Sequence, residues 1–309
     1  MPTYIGIDYG GTQTRLAPVD PDSGAIGDLV SLPSQDFATN AELLEAISAH
    51  IPVGAAVGIS AAGVVDEVRL VIDYAPNAPI SGPITFAAEL AGRGHRVTIC
   101  NDMRAAAQGE ASFGYGRDGG SIAVATYSTG FNCAVAQNGR LLPLAPEAGH
   151  FIYRGGVPVT CGCGCEDHLE PYVSGTGAAL MAQRWFAEHP DDEHPIVRAA
   201  GGVERITAAE VYVAYRGAPD QEPQCHIRDE QVRAIATSLT AIYSLYHPLS
   251  WLVLMGSQTK DWDVLFAPAI AMTRAHRYPG HHLPEIVPSR LPAIGLQGAV
   301  AYLLLQQSA

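Results

Sequence analysis

Glu147-Ala148-Gly149-His150, followed by Cys161-Gly162-Cys163-Gly164-Cys165-Glu166-Asp167-His168-Leu169-Glu170 and closed by Ser174-Gly175, is the stretch that decides how the rest of this chain reads. Six cysteines occur in 309 residues, and three of them fall between 161 and 165. Cysteines one residue apart do not readily bridge each other, because a disulfide needs a wider Cα separation and opposed Cβ vectors. A glycine-spaced turn can instead aim two thiolates at one ion. The pattern is that of a soft-ligand metal site whose tetrahedral set is His150, Cys161 and Cys163 with either Cys165 or His168. Four protein ligands with no open position mean structural zinc. Buried or redox-active thiols are the plainer alternative, but glycines between the cysteines serve turn geometry better than core packing.

The chain is long enough for two domains and a large buried core. An apolar fraction of 48% with evenly spread charge indicates a soluble globular protein. The net charge of −13 excludes a nucleic-acid partner, whose phosphates demand arginine and lysine patches. There is a single lysine, Lys260, and the other seventeen basic residues are arginine, which reads as composition bias rather than mechanism. Met1-Pro2-Thr3-Tyr4 opens no basic or apolar leader, and no apolar run approaches membrane-spanning length, so a cytoplasmic location is expected. Cys100, Cys133 and Cys225 are scattered and read as core or surface residues.

Tyr4–Ile7 is apolar, ends in Asp8, turns through Gly10-Gly11 and resumes at Arg15–Val19, which predicts strand, glycine turn, strand. Leu43, Leu44 and Ile47 have helical spacing behind the cap candidates Thr39 and Asn40. Val53–Ile59 reads as a buried strand, and Ile84–Leu90 as a helix stopped by Gly92 and Gly94. Val97–Cys100 is then a brief strand that delivers Asn101-Asp102 at its carboxyl end, ahead of a helix over Met103–Gly109. Ligands in α/β sheets bind at the carboxyl ends of strands. A second strand, turn, strand unit runs Ile122–Thr126, Ser128-Thr129-Gly130, Cys133–Ala136, with Asn138-Gly139 as a two-residue hairpin turn. Helices are expected at 177–188, 208–215, 230–245, 264–274 and 296–305, and a strand at Trp251–Met255. The repeated glycine turn between two strands suggests two similar α/β halves.

Together these pieces resemble the ROK family of sugar kinases and sugar-responsive regulators, within the hexokinase, Hsp70 and actin superfamily. The likeness covers nearly the whole chain. Asp8-Tyr9-Gly10-Gly11-Thr12 with Arg15 is similar to that family's first phosphate loop; Asn101-Asp102 with Ala105–Glu110 is similar to its catalytic segment. Glu147–His150 and the block from Cys161 to Gly175 carry its most diagnostic pattern, and an ungapped match places His168 where the family has its third cysteine. The resemblance therefore implies His150, Cys161, Cys163 and His168 as zinc ligands, with Cys165 in reserve.

It also implies a two-domain actin-like ATPase fold of ribonuclease H-like type, with a cleft between the domains. Residues 1–115 would form a small N-terminal α/β domain completed by the closing helix 294–309, and 116–293 a larger α/β domain bearing the metal motif. Three departures stand out. Tyr127–Cys133 carries fewer glycines than the family's second phosphate loop, keeping Thr129-Gly130; Met255-Gly256-Ser257 keeps one glycine of the pair that lies against the adenosine; and Arg104 stands where a small amide is common.

Phosphoryl transfer asks the protein for positioning and charge neutralisation more than for covalent work. A strand-end carboxylate can serve as base to an acceptor hydroxyl, and Asp102 is that residue; capping the following helix is its ordinary alternative. Asp8 offers a carboxylate for a magnesium shell, and Gly10, Gly11 and Thr12 offer amides and a hydroxyl for phosphate, although a plain hairpin looks the same. By resemblance Thr129, Gly130 and Gly256 complete the ATP site. Sugar hydroxyls need fixed donors and acceptors, since a buried polar group left unpaired costs about 1–3 kcal/mol. By resemblance Asn101, Glu147, His150 and Glu170 hold the acceptor ring, with Asn77 a weaker contact from the loop Ala75–Pro79.

His276, His281 and His282 read as loop residues rather than a second metal site, and Asp191-Asp192-Glu193 as a solvated loop. The resulting expectation is an ATP- and magnesium-dependent kinase for the primary hydroxyl of a hexose, glucose first, forming a homodimer or homotetramer. An N-acetylhexosamine, amino sugar or cyclitol acceptor, a polyphosphate donor, or a non-catalytic sugar sensor are the alternatives. Asp8 lies too near the start to leave room for a preceding DNA-binding domain, so transcriptional repression is not expected.

Overall fold

The computed structural model describes residues 3–75, 78–143 and 147–308. It divides into two compact units: Met1–Val124 with Ala134–Ala145 and Ser289–Ala309, and Ala125–Cys133 with Pro146–Pro288. Asn77, the weaker acceptor contact, lies outside the described residues. Among the described residues no helix is long and apolar enough to cross a membrane.

The first unit is built on a sheet of order β3-β2-β1-β4-β7, made of β1 (Tyr4–Tyr9), β2 (Gln13–Pro18), β3 (Val30–Pro33), β4 (Ala56–Ala61) and β7 (Arg96–Asn101). The strands β1 and β2 are antiparallel around the Gly10-Gly11 turn, whereas β1, β4 and β7 are parallel. Their register aligns Asp8 with Ser60 and Ala61 with Asn101, so the carboxyl ends of three strands finish together. Helix α1 (Asn40–Ser48) starts where the sequence places a cap: Thr39 and Glu42 form a reciprocal capping box, and Leu43, Leu44 and Ile47 are buried. Strand β4 begins later than the apolar run suggests, because Val53 sits fully exposed in a turn after Pro52.

A small hairpin of β5 (Val64–Asp66) and β6 (Val71–Tyr74), then helix α2 (Phe86–Gly92), intervene before β7. From β7 the chain enters helix α3 (Asp102–Phe113) directly.

The second sheet has the order β10-β9-β8-β11-β12. The hairpin of β8 (Ser121–Tyr127) and β9 (Phe131–Gln137) is followed by β10 (Arg140–Leu141) through the predicted Asn138-Gly139 turn, both residues of which take positive φ. Helices α4 (Glu170–Val173), α5 (Gly175–Glu188), α6 (Pro195–Ala200), α7 (Ala208–Gly217) and α8 (Gln224–Leu245) follow. Then come β11 (Trp251–Met255), a π-helical turn over Trp262–Phe266, α9 (Ala267–Ala275) and β12 (Glu285–Pro288).

The closing helix α10 (Ile294–Gln307) belongs to the first unit and packs on its sheet and on α3. Glycines permit the close approach: a Cβ at Gly58 would lie 2.1 Å from the Ala299 carbonyl oxygen, and one at Gly298 2.1 Å from that of Ala105.

Candidate active-site residues and metal centre

The first unit gathers two carboxylates at the carboxyl edge of its sheet. The Asn101 side chain, not that of Asp102, caps α3, accepting from the Met103 amide at 3.0 Å and donating to the Gly63 carbonyl at 3.2 Å. Asp102 is the first helical residue, and its Oδ1 accepts from the Met103 amide at 2.8 Å. Burial raises its carboxyl to about 6, helped by the charge of Asp8 and opposed by the Met103 amide. A carboxylate with that value is ionised at neutral pH yet basic enough to accept a hydroxyl proton.

Asp8 is likewise pushed up by burial, against Arg15 and a 3.3 Å hydrogen bond from the Ser60 hydroxyl. Its carboxylate lies beside the first turn of α10, where a Cβ at Gly295 would come within 2.5 Å of the Asp8 carboxyl carbon. Gly295 and Ser60 were not singled out by sequence, since neither lies in a local motif with Asp8. The Gly10–Thr12 turn is braced from the 3-10 turn after β3. Ser34 Oγ donates to the Gly10 carbonyl at 2.6 Å, the Ser34 amide to that of Thr12 at 2.9 Å, and Gln35 Nε2 to that of Gly11 at 2.7 Å. The Gly10 amide donates to the Gln13 carbonyl at 3.0 Å within the turn, and Thr12 at its tip is exposed.

The metal motif of the second unit is a short ribbon. Residues 151–153 pair with 167–169, the Leu169 amide donating to the Phe151 carbonyl at 3.1 Å and the Tyr153 amide to that of Asp167 at 2.7 Å. This places His150 beside His168, with ring centroids 5.1 Å apart. At the other end Cys161–Cys165 forms a tight turn, the Cys161 amide donating to the Cys165 carbonyl at 2.9 Å, with Gly164 at φ +90°. Ligand atoms of His150, Cys161, Cys163 and His168 all lie within 4.8 Å of one another. Cys163 Sγ and His168 Nδ1 are 3.2 Å apart.

A tetrahedral zinc with bonds of 2.0–2.3 Å needs ligand atoms roughly 3.3–3.8 Å apart, so the donor set fits in number and softness, and its atoms, all within 4.8 Å of one another, need draw in by no more than a side-chain adjustment. Cys165 takes part through its backbone, and its side chain falls outside the group. Burial pushes the Cys161 thiol up to about 11, whereas the Cys165 amide holds the Cys163 thiol below its ordinary value. No further cluster of this kind occurs among the described residues.

Glu170, at the start of α4, connects this centre to the β8–β9 turn. Its Oε2 accepts from the Phe131 amide at 3.1 Å, and its Oε1 lies 3.6 Å from Cys161 Sγ. Glu147 is mostly exposed, with Oε2 3.7 Å from His150 Nδ1. The turn Ser128-Thr129-Gly130 is anchored by the Ser128 carbonyl, which accepts from the Gly175 amide at 2.8 Å and from Gln258 Nε2 at 3.1 Å. Gln258 is buried and also donates to the Val173 carbonyl at 2.9 Å, a role that no local motif in the sequence announces. Gly256 takes φ +101° and would place a Cβ 2.2 Å from the Tyr127 carbonyl oxygen, so its smallness is required by the fold itself.

Two residues that look like obstacles in the sequence have other roles. Cys133, on β9, is buried at 2% exposure. Asn132 Oδ1 accepts from the Ala148 amide at 3.1 Å and the Cys133 amide at 2.8 Å, so it ties the β8–β9 hairpin to Glu147–His150. Asn132→Gly is therefore expected to raise the KM for the acceptor as well as for the donor, each by roughly three- to tenfold, the equivalent of one net hydrogen bond. Steady-state kinetics with each substrate varied in turn will check this, and a rise in donor KM alone would contradict it.

These features define a two-unit α/β protein with the actin-like ATPase fold. The chain belongs to the ROK family, whose model matches residues 4–306. It is 27% identical over 277 residues to a glucokinase of Thermotoga maritima, covering 85% of this chain and 84% of that one. Over 198 residues it is 35% identical to an N-acetylgalactosamine kinase of a Shewanella species, covering 58% of this chain and 63% of that one. The crystal structure of a ROK family glucokinase from Streptomyces griseus in complex with glucose and AMPPNP matches with a TM-score of 0.75 at 25% identity, covering 97% of this chain and 98% of that one.

Proposed function

We infer that this ROK-family chain is an ATP-dependent phosphotransferase of the hexokinase type, moving the γ-phosphoryl group to the primary hydroxyl of a hexose, with glucose the leading acceptor. The observation that carries the reading is Asp102, a carboxylate at the carboxyl end of β7 raised by burial to about 6, in the same unit as the Asp8 turn. A glucokinase relative that matches over most of both chains supports the choice of acceptor.

In this reading Asp102 takes the proton of the attacking hydroxyl as the oxygen closes on phosphorus. Asn101, Glu147, His150 and Glu170 are the residues proposed to meet the acceptor hydroxyls, with Asn77 as an additional contact. The Gly10-Gly11-Thr12 turn meets the phosphates through the Gly11 and Thr12 amides and the Thr12 hydroxyl, Asp8 is the carboxylate that would hold magnesium, and Thr129, Gly130 and Gly256 complete the nucleotide site. Zinc held by His150, Cys161, Cys163 and His168 would supply structural rigidity, fixing the His150 ring that also faces the sugar. A cytoplasmic homodimer or homotetramer completes the proposal.

The 35% identity to an N-acetylgalactosamine kinase favours a second reading, in which the acceptor is an N-acetylhexosamine. A coupled ADP-release assay over hexoses, hexosamines, N-acetylhexosamines and cyclitols, repeated with polyphosphate as donor, separates them. The highest kcat/KM is expected with glucose and ATP; a tenfold preference for an N-acetylated sugar would replace glucose by the second reading.

A further inference from the structure

Three thiols share the turn at the end of the metal ribbon, and the zinc set uses only two of them. Cys161 is buried, whereas Cys163 and Cys165 are exposed. The Cys165 thiol lies outside the group formed by His150, Cys161, Cys163 and His168, so the proposed function leaves it without a task.

The backbone of the turn decides what that thiol can reach. The Gly164 amide donates to the Cys161 carbonyl at 2.8 Å, Gly164 takes φ +90°, and the Cys161 amide donates to the Cys165 carbonyl at 2.9 Å. Residues 162–164 are thus a hairpin loop closed by a glycine bulge, and Thr160 pairs with Glu166 on the rung beyond. Cys161 and Cys165 are therefore neighbours across the hairpin. Opposed residues of an antiparallel pair have Cα atoms about 4.5–5.5 Å apart and side chains on one face, inside the roughly 4.4–6.8 Å that a disulfide spans. The Cys163 sulfur neighbours both other thiols, but a single glycine separates it from each, the spacing that opposes a bridge. Packing does not hold the loop: a Cβ at Gly162 or Gly164 would meet nothing within 4 Å. The loop is open to a small oxidant and free to adjust.

We propose that Cys165 is an oxidation site, at which a hydroperoxide starts the formation of a Cys161–Cys165 disulfide that takes Cys161 out of the metal centre. The peroxide oxidises the exposed Cys165 sulfur to a sulfenic acid and is itself reduced to water or an alcohol. The Cys161 sulfur then attacks that of Cys165: a sulfur–sulfur bond forms, the sulfur–oxygen bond breaks, and hydroxide leaves and is protonated to water. The two sulfurs together lose two electrons to one peroxide bond. With Cys161 bridged, the metal centre keeps His150, Cys163 and His168, and its hold on zinc weakens. A thiol reductant reverses the bridge. The inference rests on the zinc assignment and is independent of which sugar is the acceptor.

The test treats zinc-loaded protein, as the full chain, with hydrogen peroxide, blocks the remaining thiols and maps bridges by peptide mass spectrometry while a chromogenic chelator reads free zinc. Wild type should form the Cys161–Cys165 bridge, lose zinc in step with it, and recover both thiols and metal with dithiothreitol and added zinc. Cys165→Ser should hold its zinc before treatment and release it about tenfold or more slowly under peroxide, because Cys161 then has no partner across the hairpin. Cys225→Ser, on α8 and outside the metal ribbon, should behave as wild type. A bridge between Cys163 and Cys165, covalent dimers through Cys165, or equal zinc release from Cys165→Ser and wild type would overturn the proposal. Protein that carries no zinc before treatment would fail the zinc assignment instead. In that protein a mapped Cys161–Cys165 bridge would leave the oxidation site standing, and its absence would remove it.

Discussion

Asp102→Asn is expected to lower kcat by about 10²- to 10⁴-fold while glucose binding stays within about threefold of wild type. The amide keeps the shape of the carboxylate but cannot accept the hydroxyl proton. The same residue should set the acid limb of the pH profile. Because burial holds its carboxyl at about 6, kcat/KM should fall roughly tenfold per pH unit below that value as the base becomes protonated.

The substitution has a second consequence for stability. A carboxyl whose folded value is raised from 3.8 to about 6 favours the folded state only while protonated. Asp102 therefore costs stability above about pH 6, and that cost fades as the pH falls toward 3.8. A raise of about two units corresponds to about 3 kcal/mol. The asparagine variant should melt higher than wild type at pH 8, with the gap narrowing at pH 5. Rate measurements with thermal melts at the two pH values check both effects. A loss of less than about tenfold in kcat would remove Asp102 from the base role.

Removal of the metal is the other large effect. Purified protein should hold about one zinc per chain, and Cys161→Ser or Cys163→Ser should lose it, lowering Tm by about 10 °C or more because metal binding is coupled to folding. Glucose affinity should fall with it, since His150 is shared between the two sets. His168→Ala should cost the metal, whereas Cys165→Ala should retain it, as the Cys165 thiol lies outside the four-residue group. Elemental analysis beside thermal melts reads all four variants. Stoichiometric zinc in His168→Ala with loss in Cys165→Ala would exchange the fourth ligand.

What the sequence revealed was what lies close along the chain. Glycines between Cys161, Cys163 and Cys165 mark a turn because local sterics dictate it, and the period of Leu43, Leu44 and Ile47 marks a helix because one face is buried. Trp251–Met255 is a strand over the range its apolar run predicts. Shorter strands escaped: β5 and β6 expose Val64 and Tyr74, so no alternation shows, and β12 ends in Pro288. The site was legible where a motif is contiguous, as at Asn101-Asp102. It was illegible where one partner comes from far along the chain, as with Gly295 against Asp8 or Gln258 against Ser128. Asn132 shows the limit of counting glycines. In the sequence it crowds a phosphate loop, whereas in the fold its amide oxygen is a fixed acceptor for Ala148.

The hexose kinase reading stands or falls on a coupled ADP-release assay with magnesium ATP, run with and without glucose and paired with calorimetry of each substrate. ADP should form in step with sugar phosphate only when both substrates are present, with measurable binding of each. Tight glucose binding with no nucleotide binding and no ADP release with any acceptor or donor would overturn that reading, and would make the protein a sugar sensor.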